Sequence, residues 1–274
     1  MVGFLGSKIN LNQLSNDLNK GLYLRPFFLY NDYTHMPIFR IKVVNIVLET
    51  EAFEEPTKRY CAGFLTDEEP DYTITMTEED LKNESSNAKD GHVYVNEEIS
   101  ALYRKIADLL VDDNVIVFHS SAISVNGNGF LIAARSGVGK STHAKLLSEY
   151  IGDSFKYIND DKPLLKVEDN NVTIYSSPWN GKERRGNNIS APLKAIIFLN
   201  RGETNTFRKI DNKEEIYIRM LSQIYLPKEK SKREKALKIA NLLLKKINFY
   251  EINVNKDIES AKMTYEGIIK NEIK

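Results

Sequence analysis

The feature that most constrains this chain is a glycine loop between an apolar run and a helical pattern. Residues 130–134 are apolar, Ser136-Gly137-Val138-Gly139-Lys140-Ser141-Thr142 follows, and the next residues to Tyr150 have helical spacing. Glycines let backbone N–H groups converge on phosphate oxygens, a lysine reaches the terminal phosphates, and the hydroxyl after it binds Mg²⁺. We therefore expect the loop from Ser136 to Thr142 to bind a nucleotide, with Lys140 on the phosphates and Ser141 on Mg²⁺.

Ala134 departs from the general loop pattern, which has glycine at that position. Alanine adds a methyl group where the strand turns into the loop. The change costs nothing if the backbone φ of Ala134 is negative, because only a positive φ favours glycine.

Composition excludes several classes of protein. The 274 residues include 38 basic and 38 acidic side chains, so a polyanion-binding surface is not the default expectation. With 42% hydrophobic residues the chain can bury a sizeable core, which excludes disorder for most of it. Cys61 is the single cysteine, the first residues lack a signal-peptide pattern, and no apolar stretch approaches the roughly 18 residues of a membrane helix. We expect a cytoplasmic protein without a nucleic-acid or membrane partner.

Two adjacent carboxylates, Asp160 and Asp161, follow a short strand pattern at residues 155–159, about twenty residues after Lys140. At the end of a strand beside a phosphate loop, one carboxylate can hold Mg²⁺ and the other can accept a proton from an attacking hydroxyl. We expect both to be catalytic and place Asp160 with Ser141 as a candidate metal ligand. Which aspartate is the base stays open, and a polar turn before Pro163 is the alternative reading.

His119 is brought to the loop by a predicted hairpin. Asn126-Gly127-Asn128-Gly129 is typical of a tight turn, so residues 115–125 should pair with residues 130–134. Whichever two residues form the turn, the register places His119 opposite Ala134, Arg135 or Ser136. We expect the imidazole to contact phosphate or tune the carboxylates; a structural histidine bonded to backbone is the alternative.

A loop rich in cations spans residues 178–188. Arg184 and Arg185 in it can clamp a phosphate or a carboxylate of the acceptor, although a plain solvated loop is the alternative. Trp179 reads as a packing anchor rather than a base-stacking platform.

The remaining patterns divide the chain into an extension (1–35), an N-terminal α+β region (36–110) and a loop-containing domain (111–274). The elements expected are a helix within 1–35, a strand at 38–48, a loop at 50–69, a strand at 72–76, a helix capped by Thr77, a linker at 84–91, a helix at 96–110, strands at 172–175 and 195–199, a helix after the lysine-rich segment 228–238, a strand at 248–254 and a helix at 257–269.

The order of these motifs resembles a known family. From about Val115 onward, His119, the glycine loop, the Asp160-Asp161 pair and Glu183-Arg184-Arg185-Gly186 follow one another as in the catalytic domain of HPr kinase/phosphorylase and its HPr-kinase-related relatives. These are similar in core architecture to ATP-dependent phosphoenolpyruvate carboxykinase. The family signature of glutamate, any residue, arginine, glycine, any residue, glycine and isoleucine corresponds to Glu183 through Ile189, with Asn188 at the later glycine.

The resemblance implies an α/β fold with a P-loop-containing, mixed-sheet core and a small β-rich N-terminal region. It further implies an ATP- and Mg²⁺-dependent kinase that transfers the γ-phosphoryl group to a hydroxyl, with serine of a protein or peptide as the expected acceptor. In that family the loop binds nucleotide phosphates, the acidic pair supplies the base and supports magnesium, and the histidine lies in the active site. The alternatives are a small-molecule kinase of the same fold and a non-catalytic ATP-binding sensor.

Overall fold

The computed structural model describes residues 38–51, 55–85, 94–169 and 171–274. The helix expected within residues 1–35 and the middle of the linker at 84–91 lie outside these ranges. The described residues form an α/β structure with one three-stranded and one nine-stranded sheet.

The small sheet comes first in the chain. Strands β1 (Ile38–Val43) and β2 (Ile46–Glu51) form an antiparallel hairpin, and β3 (Tyr72–Thr75) runs parallel to β2. The prediction of one strand over 38–48 is wrong, because Val44 and Asn45 have φ of 54° and 64° and make a tight turn. The segment expected as a loop contains helix α1 (Glu55–Tyr60) and a 3₁₀ turn, Ala62–Phe64.

Two helices lead from the small sheet to the large one. Helix α2 (Glu78–Ser85) begins at the predicted cap, where the Asp80 carboxylate accepts a 2.8 Å hydrogen bond from the Thr77 backbone N–H. Helix α3 (Tyr94–Leu110) confirms the predicted periodicity. Its apolar face, which includes Leu102 and Ile106, is buried in one cluster with the small sheet and Trp179.

The large sheet contains the candidate functional residues. Its strands are β4 (Val115–Val117), β5 (Ser120–Val125), β6 (Asn128–Ala133), β7 (Phe155–Asp161), β8 (Leu164–Val167), β9 (Val172–Tyr175), β10 (Ser190–Arg201), β11 (Thr206–Lys209) and β12 (Asn248–Val254). They lie in the order β4-β8-β9-β10-β6-β5-β7, and β12 lies between β10 and β11.

The predicted hairpin is formed by β5 and β6. Ser121 lies opposite Ile132, and Asn126 and Gly127 make the two-residue turn with φ of 50° and 77°. The prediction of one strand over 115–125 is wrong, because the chain leaves this sheet path between β4 and β5. There the backbone N–H of His119 donates to the carbonyl of Gln223 at 2.8 Å, and β4 pairs with β8.

Helices cover both faces of the sheet. They are α4 (Lys140–Ile151), α5 (Lys213–Leu221), α6 (Lys230–Lys246), α7 (Ile258–Thr264), which continues into a π-helical segment (Tyr265–Ile269), and α8 (Lys270–Ile273). Alternate residues of β6 face opposite layers, so Leu131 is buried in the cluster of α5 and α6, and Ile132 in the cluster of α4 and α7. Within the described ranges, no helix combines the length and apolar character needed to cross a membrane.

Strand direction explains where the candidate residues meet. Strands β10 and β12 are parallel to β6, and β7 has the same direction because it is antiparallel to β5, which is antiparallel to β6. The carboxyl ends of β6, β7, β10 and β12 therefore lie at one edge of the sheet. The glycine loop, the acidic pair and the start of β5 share that edge.

Candidate active site

The glycine loop has the backbone geometry that the sequence predicts. Gly137 and Gly139 have φ of 77° and 126°, in the region that L side chains rarely adopt. Helix α4 begins immediately after Gly139, so its first-turn N–H groups have no intrahelical partner and are available to an anion. Ala134 is not among the described non-glycine residues with positive φ, so alanine carries no backbone penalty there.

Lys140 lies at the centre of the polar groups. Its Nζ donates to the carbonyl of Ala134 at 3.2 Å and lies 3.3 Å from Nε2 of His119. Burial lowers the pKa of Lys140, and the nearby carboxylates of Asp161 and Asp160 oppose that effect. The position of His119 beside the loop, predicted from the hairpin register, is confirmed.

Asp160 is held by hydroxyl groups. Its Oδ1 accepts hydrogen bonds from Ser121 and, at 3.1 Å, from Ser141. Burial raises the pKa of Asp160, and the two serine hydroxyls and Arg185, 3.9 Å away, partly offset it. The side chain is only 2% exposed.

The residues around Asp160 suit Mg²⁺. The Ser141 hydroxyl and the Asp160 carboxylate are hard oxygen donors within hydrogen-bond distance of each other. Mg²⁺ in nucleotide sites takes one or two protein oxygens and completes its shell with phosphate oxygens and water. The described ranges contain no cluster of three or more His, Cys, Asp or Glu side chains placed to hold a metal ion.

Asp161 has a different environment. Its Oδ1 lies 3.3 Å from Nε2 of His119, and its Oδ2 lies 3.1 Å from Nζ of Lys162. Burial alone would raise the pKa of Asp161, but the interactions with His119 and Lys162 outweigh burial and lower it. Its side chain is 27% exposed. The two neighbouring carboxylates are therefore tuned in opposite directions.

Asn159, which the sequence reading passed over, fixes the turn that carries Asp161. Its Oδ1 accepts from the backbone N–H groups of Asp161 and Lys162 at 3.0 and 2.8 Å, and its Nδ2 donates to the Ser177 carbonyl at 2.9 Å. The side chain is fully buried. A buried amide that uses both ends in this way stiffens the strand end.

The loop at 178–189 packs against the edge of β7. A Cβ on Gly181, whose φ is 73°, would lie 2.9 Å from the Asp160 carbonyl, so only glycine allows this approach. The carbonyl of Arg185 accepts from the Asp160 backbone N–H at 3.0 Å. Its guanidinium lies beside Asp160 and Glu183.

Arg184 does not share this position, contrary to the expectation that both arginines face the acceptor. Its guanidinium stacks on the Tyr60 ring, 4.0 Å from the centroid, and donates to the Tyr60 carbonyl at 2.8 Å. The backbone φ of Arg184 is 52°, which turns the side chain towards α1. Trp179 is the packing anchor that was predicted, with Nε1 donating to the Ile99 carbonyl at 3.1 Å.

A cavity of about 890 Å³ joins these groups. Its lining contains the predicted residues His119, Ser136, Gly137, Val138, Gly139, Lys140, Ser141, Thr142, Asp160 and Asp161. It also contains Arg201 and Lys256, which the sequence reading missed. Arg201 is the last residue of β10 and Lys256 follows β12; both strands are parallel to β6, and the carboxyl ends of parallel strands meet at one edge of the sheet.

Comparison with known proteins adds little to this geometry. No protein-family model matches the chain, and no curated protein matches it. Among solved structures, the HPr(Ser) kinase/phosphatase from Coxiella burnetii aligns with a TM-score of 0.34 and 13% sequence identity, over 57% of this chain and 98% of that one. The assignment of a function therefore rests on the site itself.

Proposed function

We propose that this protein is an ATP- and Mg²⁺-dependent kinase that transfers the γ-phosphoryl group to a hydroxyl, with serine of a protein or peptide as the acceptor. One observation carries the proposal. The two carboxylates at the end of β7 are divided between two partners, Asp160 on the Ser141 hydroxyl and Asp161 on His119. That division provides one carboxylate for the donor and one for the acceptor.

The donor is bound at the start of α4. Loop amides and the Lys140 ammonium neutralise the phosphates, and the helix N-terminus adds partial positive charge. Ser141 and Asp160 hold Mg²⁺, which when bound neutralises charge on the β and γ phosphates. Burial raises the pKa of Asp160, and the hydroxyls of Ser121 and Ser141 together with Arg185, 3.9 Å away, offset part of that rise.

The acceptor hydroxyl is oriented by Asp161. Of the two carboxylates it is the more exposed, at 27% against 2%, so an incoming hydroxyl reaches it first. Its lowered pKa keeps it ionised at neutral pH. A weakly basic carboxylate suffices, because phosphoryl transfer depends mostly on positioning and charge neutralisation.

His119 links the two halves of the site. Its Nε2 lies 3.3 Å from both Lys140 Nζ and Asp161 Oδ1, and the tautomer decides whether it accepts from the ammonium or donates to the carboxylate. On the acceptor side, Lys182 of the cavity lining takes the role that the sequence assigned to Arg184 or Arg185, neither of which is among the lining residues. The serine acceptor is supported by the motif order that resembles HPr kinase/phosphorylase, with Glu183-Arg184-Arg185-Gly186 after the acidic pair.

The test is phosphorylation of an undefined acceptor pool. Purified wild-type protein and Asp161→Asn are incubated with ATP, Mg²⁺ and cell-extract peptides and metabolites, and products heavier by one phosphate are sought by mass spectrometry. We expect an Asp161-dependent phosphoserine product. A phosphorylated metabolite would move the acceptor to the small-molecule class, and ATP binding without product in any pool would favour a nucleotide sensor.

A further inference from the structure

Arg201 holds the glycine loop from the side of β10. Its Nε donates to the carbonyl of Val138 at 2.8 Å, and its Nη2 donates to the carbonyl of Gly137 at 2.5 Å. It is the last residue of β10, the parallel neighbour of the strand that leads into the loop. No salt-bridge partner of Arg201 occurs among the residues that the structure describes, so its contacts are directed to the loop rather than to a surface ion pair.

These two hydrogen bonds fix the orientation of two peptide groups. In a planar trans peptide the N–H points opposite to the C=O. The Gly137 carbonyl faces Arg201, and the N–H of the same peptide, on Val138, closes the loop by donating to the Arg135 carbonyl at 3.2 Å. The Val138 carbonyl also faces Arg201, so the Gly139 N–H points to the other side of the loop and joins the first-turn amides of α4.

The two glycines of the loop explain why the hydrogen bonds from Arg201 matter. Gly137 and Gly139 have no Cβ to restrict them, and a Cβ at either would meet nothing within 4 Å. Glycine backbones have more conformational freedom than those of other residues, so the loop loses more entropy when it is ordered. A charged donor that holds two carbonyls at once removes this freedom before any ligand arrives, which lowers the ordering cost of binding.

We propose that Arg201 is a positioning residue that preorganises the loop amides for the donor polyphosphate. The proposal rests on the proposed function, since it assigns the loop to phosphates. Arg201 lies outside the loop motif of residues 136–142, so the motif alone does not assign it this role. It also implies that inorganic pyrophosphate, without a nucleoside, binds the loop and depends on Arg201 to the same degree as ATP.

The experiment compares wild type, Arg201→Gln, Arg201→Lys and Arg201→Ala by calorimetric titration with pyrophosphate and with ATP, each with Mg²⁺. Arg201→Gln removes two charge-assisted hydrogen bonds, so the affinities for pyrophosphate and for ATP should both fall by the same factor, about 10- to 100-fold. Arg201→Lys keeps the charge but not the planar guanidinium with its several donors, so its affinities should lie between those of wild type and Arg201→Gln. Added guanidinium at a non-denaturing concentration should restore pyrophosphate binding to Arg201→Ala, which a purely structural defect would not allow.

Arg233→Gln is the matched control. Arg233 is also an exposed arginine whose guanidinium donates to a backbone carbonyl, that of Lys228 at 3.1 Å, but it lies on α6 outside the cavity lining. Its affinities should equal those of wild type. Unchanged pyrophosphate and ATP affinities in Arg201→Gln, with wild type binding both, would overturn the role of Arg201 alone. If wild type binds neither pyrophosphate nor ATP, both the proposed function and the role of Arg201 are overturned.

Discussion

The hydroxyl of Ser141 donates a 3.1 Å hydrogen bond to Oδ1 of Asp160, although the two residues belong to different elements. Ser141 lies in the first turn of α4 and Asp160 near the end of β7. The contact ties the phosphate loop to the acidic strand and pairs two oxygen donors suited to Mg²⁺. The proposed chemistry depends on this contact because it assigns Asp160 to the donor and leaves Asp161 for the acceptor.

Substitution of Asn159 should loosen the acidic turn. Asn159→Leu keeps the size of the side chain but removes the Oδ1 acceptor of the Asp161 and Lys162 N–H groups, of which Lys162 retains the Trp179 carbonyl at 3.2 Å. We expect a loss of about 2–4 kcal/mol in the free energy of unfolding, measured by urea titration. Asn187→Leu is the control, since the exposed Asn187 side chain donates to the Tyr157 carbonyl at 2.9 Å and holds no backbone N–H group of the acidic turn; a loss as large there would contradict the assignment.

Gly181→Ala should separate the covering loop from β7. The new methyl group would lie 2.9 Å from the Asp160 carbonyl, at a φ of 73°. Gly127→Ala is matched in backbone, with a φ of 77°, but meets nothing within 4 Å. In both variants, left-handed backbone strain should lower the free energy of unfolding by about 1–2 kcal/mol. Gly181→Ala should have a further loss from the close approach, and it should also reduce phosphotransfer. Equal losses of stability and equal activities would mean that the close approach to Asp160 is unimportant.

His143 should make stability fall at mildly acidic pH. Burial lowers the pKa of His143 to about 4, and its Nε2 lies 3.0 Å from the Thr264 hydroxyl. Because the unfolded chain, with an ordinary pKa of about 6.5, takes up the proton more readily, stability decreases as pH falls from 6.5 towards 4. Between pH 7 and pH 5 the contribution is about 2 kcal/mol.

The comparison that isolates this effect is His143→Gln against wild type, with urea unfolding at a series of pH values. The other ionisable groups contribute equally to both proteins. The difference in unfolding free energy should shrink as the pH falls. Parallel curves for the two proteins would show that His143 is protonated equally well in both states.

Patterns of residues adjacent in the chain predicted much of this site, whereas contacts between residues distant in the chain were missed. The glycine loop, the turn at Asn126 and Gly127, and the strand ending in Asp161 each follow from residues adjacent in the chain. The break between β4 and β5 could not be predicted, because no glycine or proline interrupts residues 115–125. The break depends on the distant partners of Phe118 and His119, namely Ile224 and Gln223.

The two arginines of the 178–189 loop show the same limit. Nothing in the local sequence distinguishes Arg184 from Arg185. Their opposite directions come from the left-handed backbone at Arg184 and from the Tyr60 ring, which lies more than 120 residues away in the chain. Ser121 was missed for a similar reason, since its contact with Asp160 arises only when β5 and β7 pair.

The division of labour between the two aspartates is tested most directly by measuring ATP binding and phosphotransfer on Asp160→Asn and Asp161→Asn, each with and without Mg²⁺. We expect Asp160→Asn to lose the Mg²⁺-dependent part of ATP affinity, as Ser141→Ala should in part. We expect Asp161→Asn to keep this affinity and to lose phosphotransfer by at least about 100-fold. Full phosphotransfer by Asp161→Asn, or unchanged Mg²⁺-dependent ATP binding by Asp160→Asn, would contradict this division of labour.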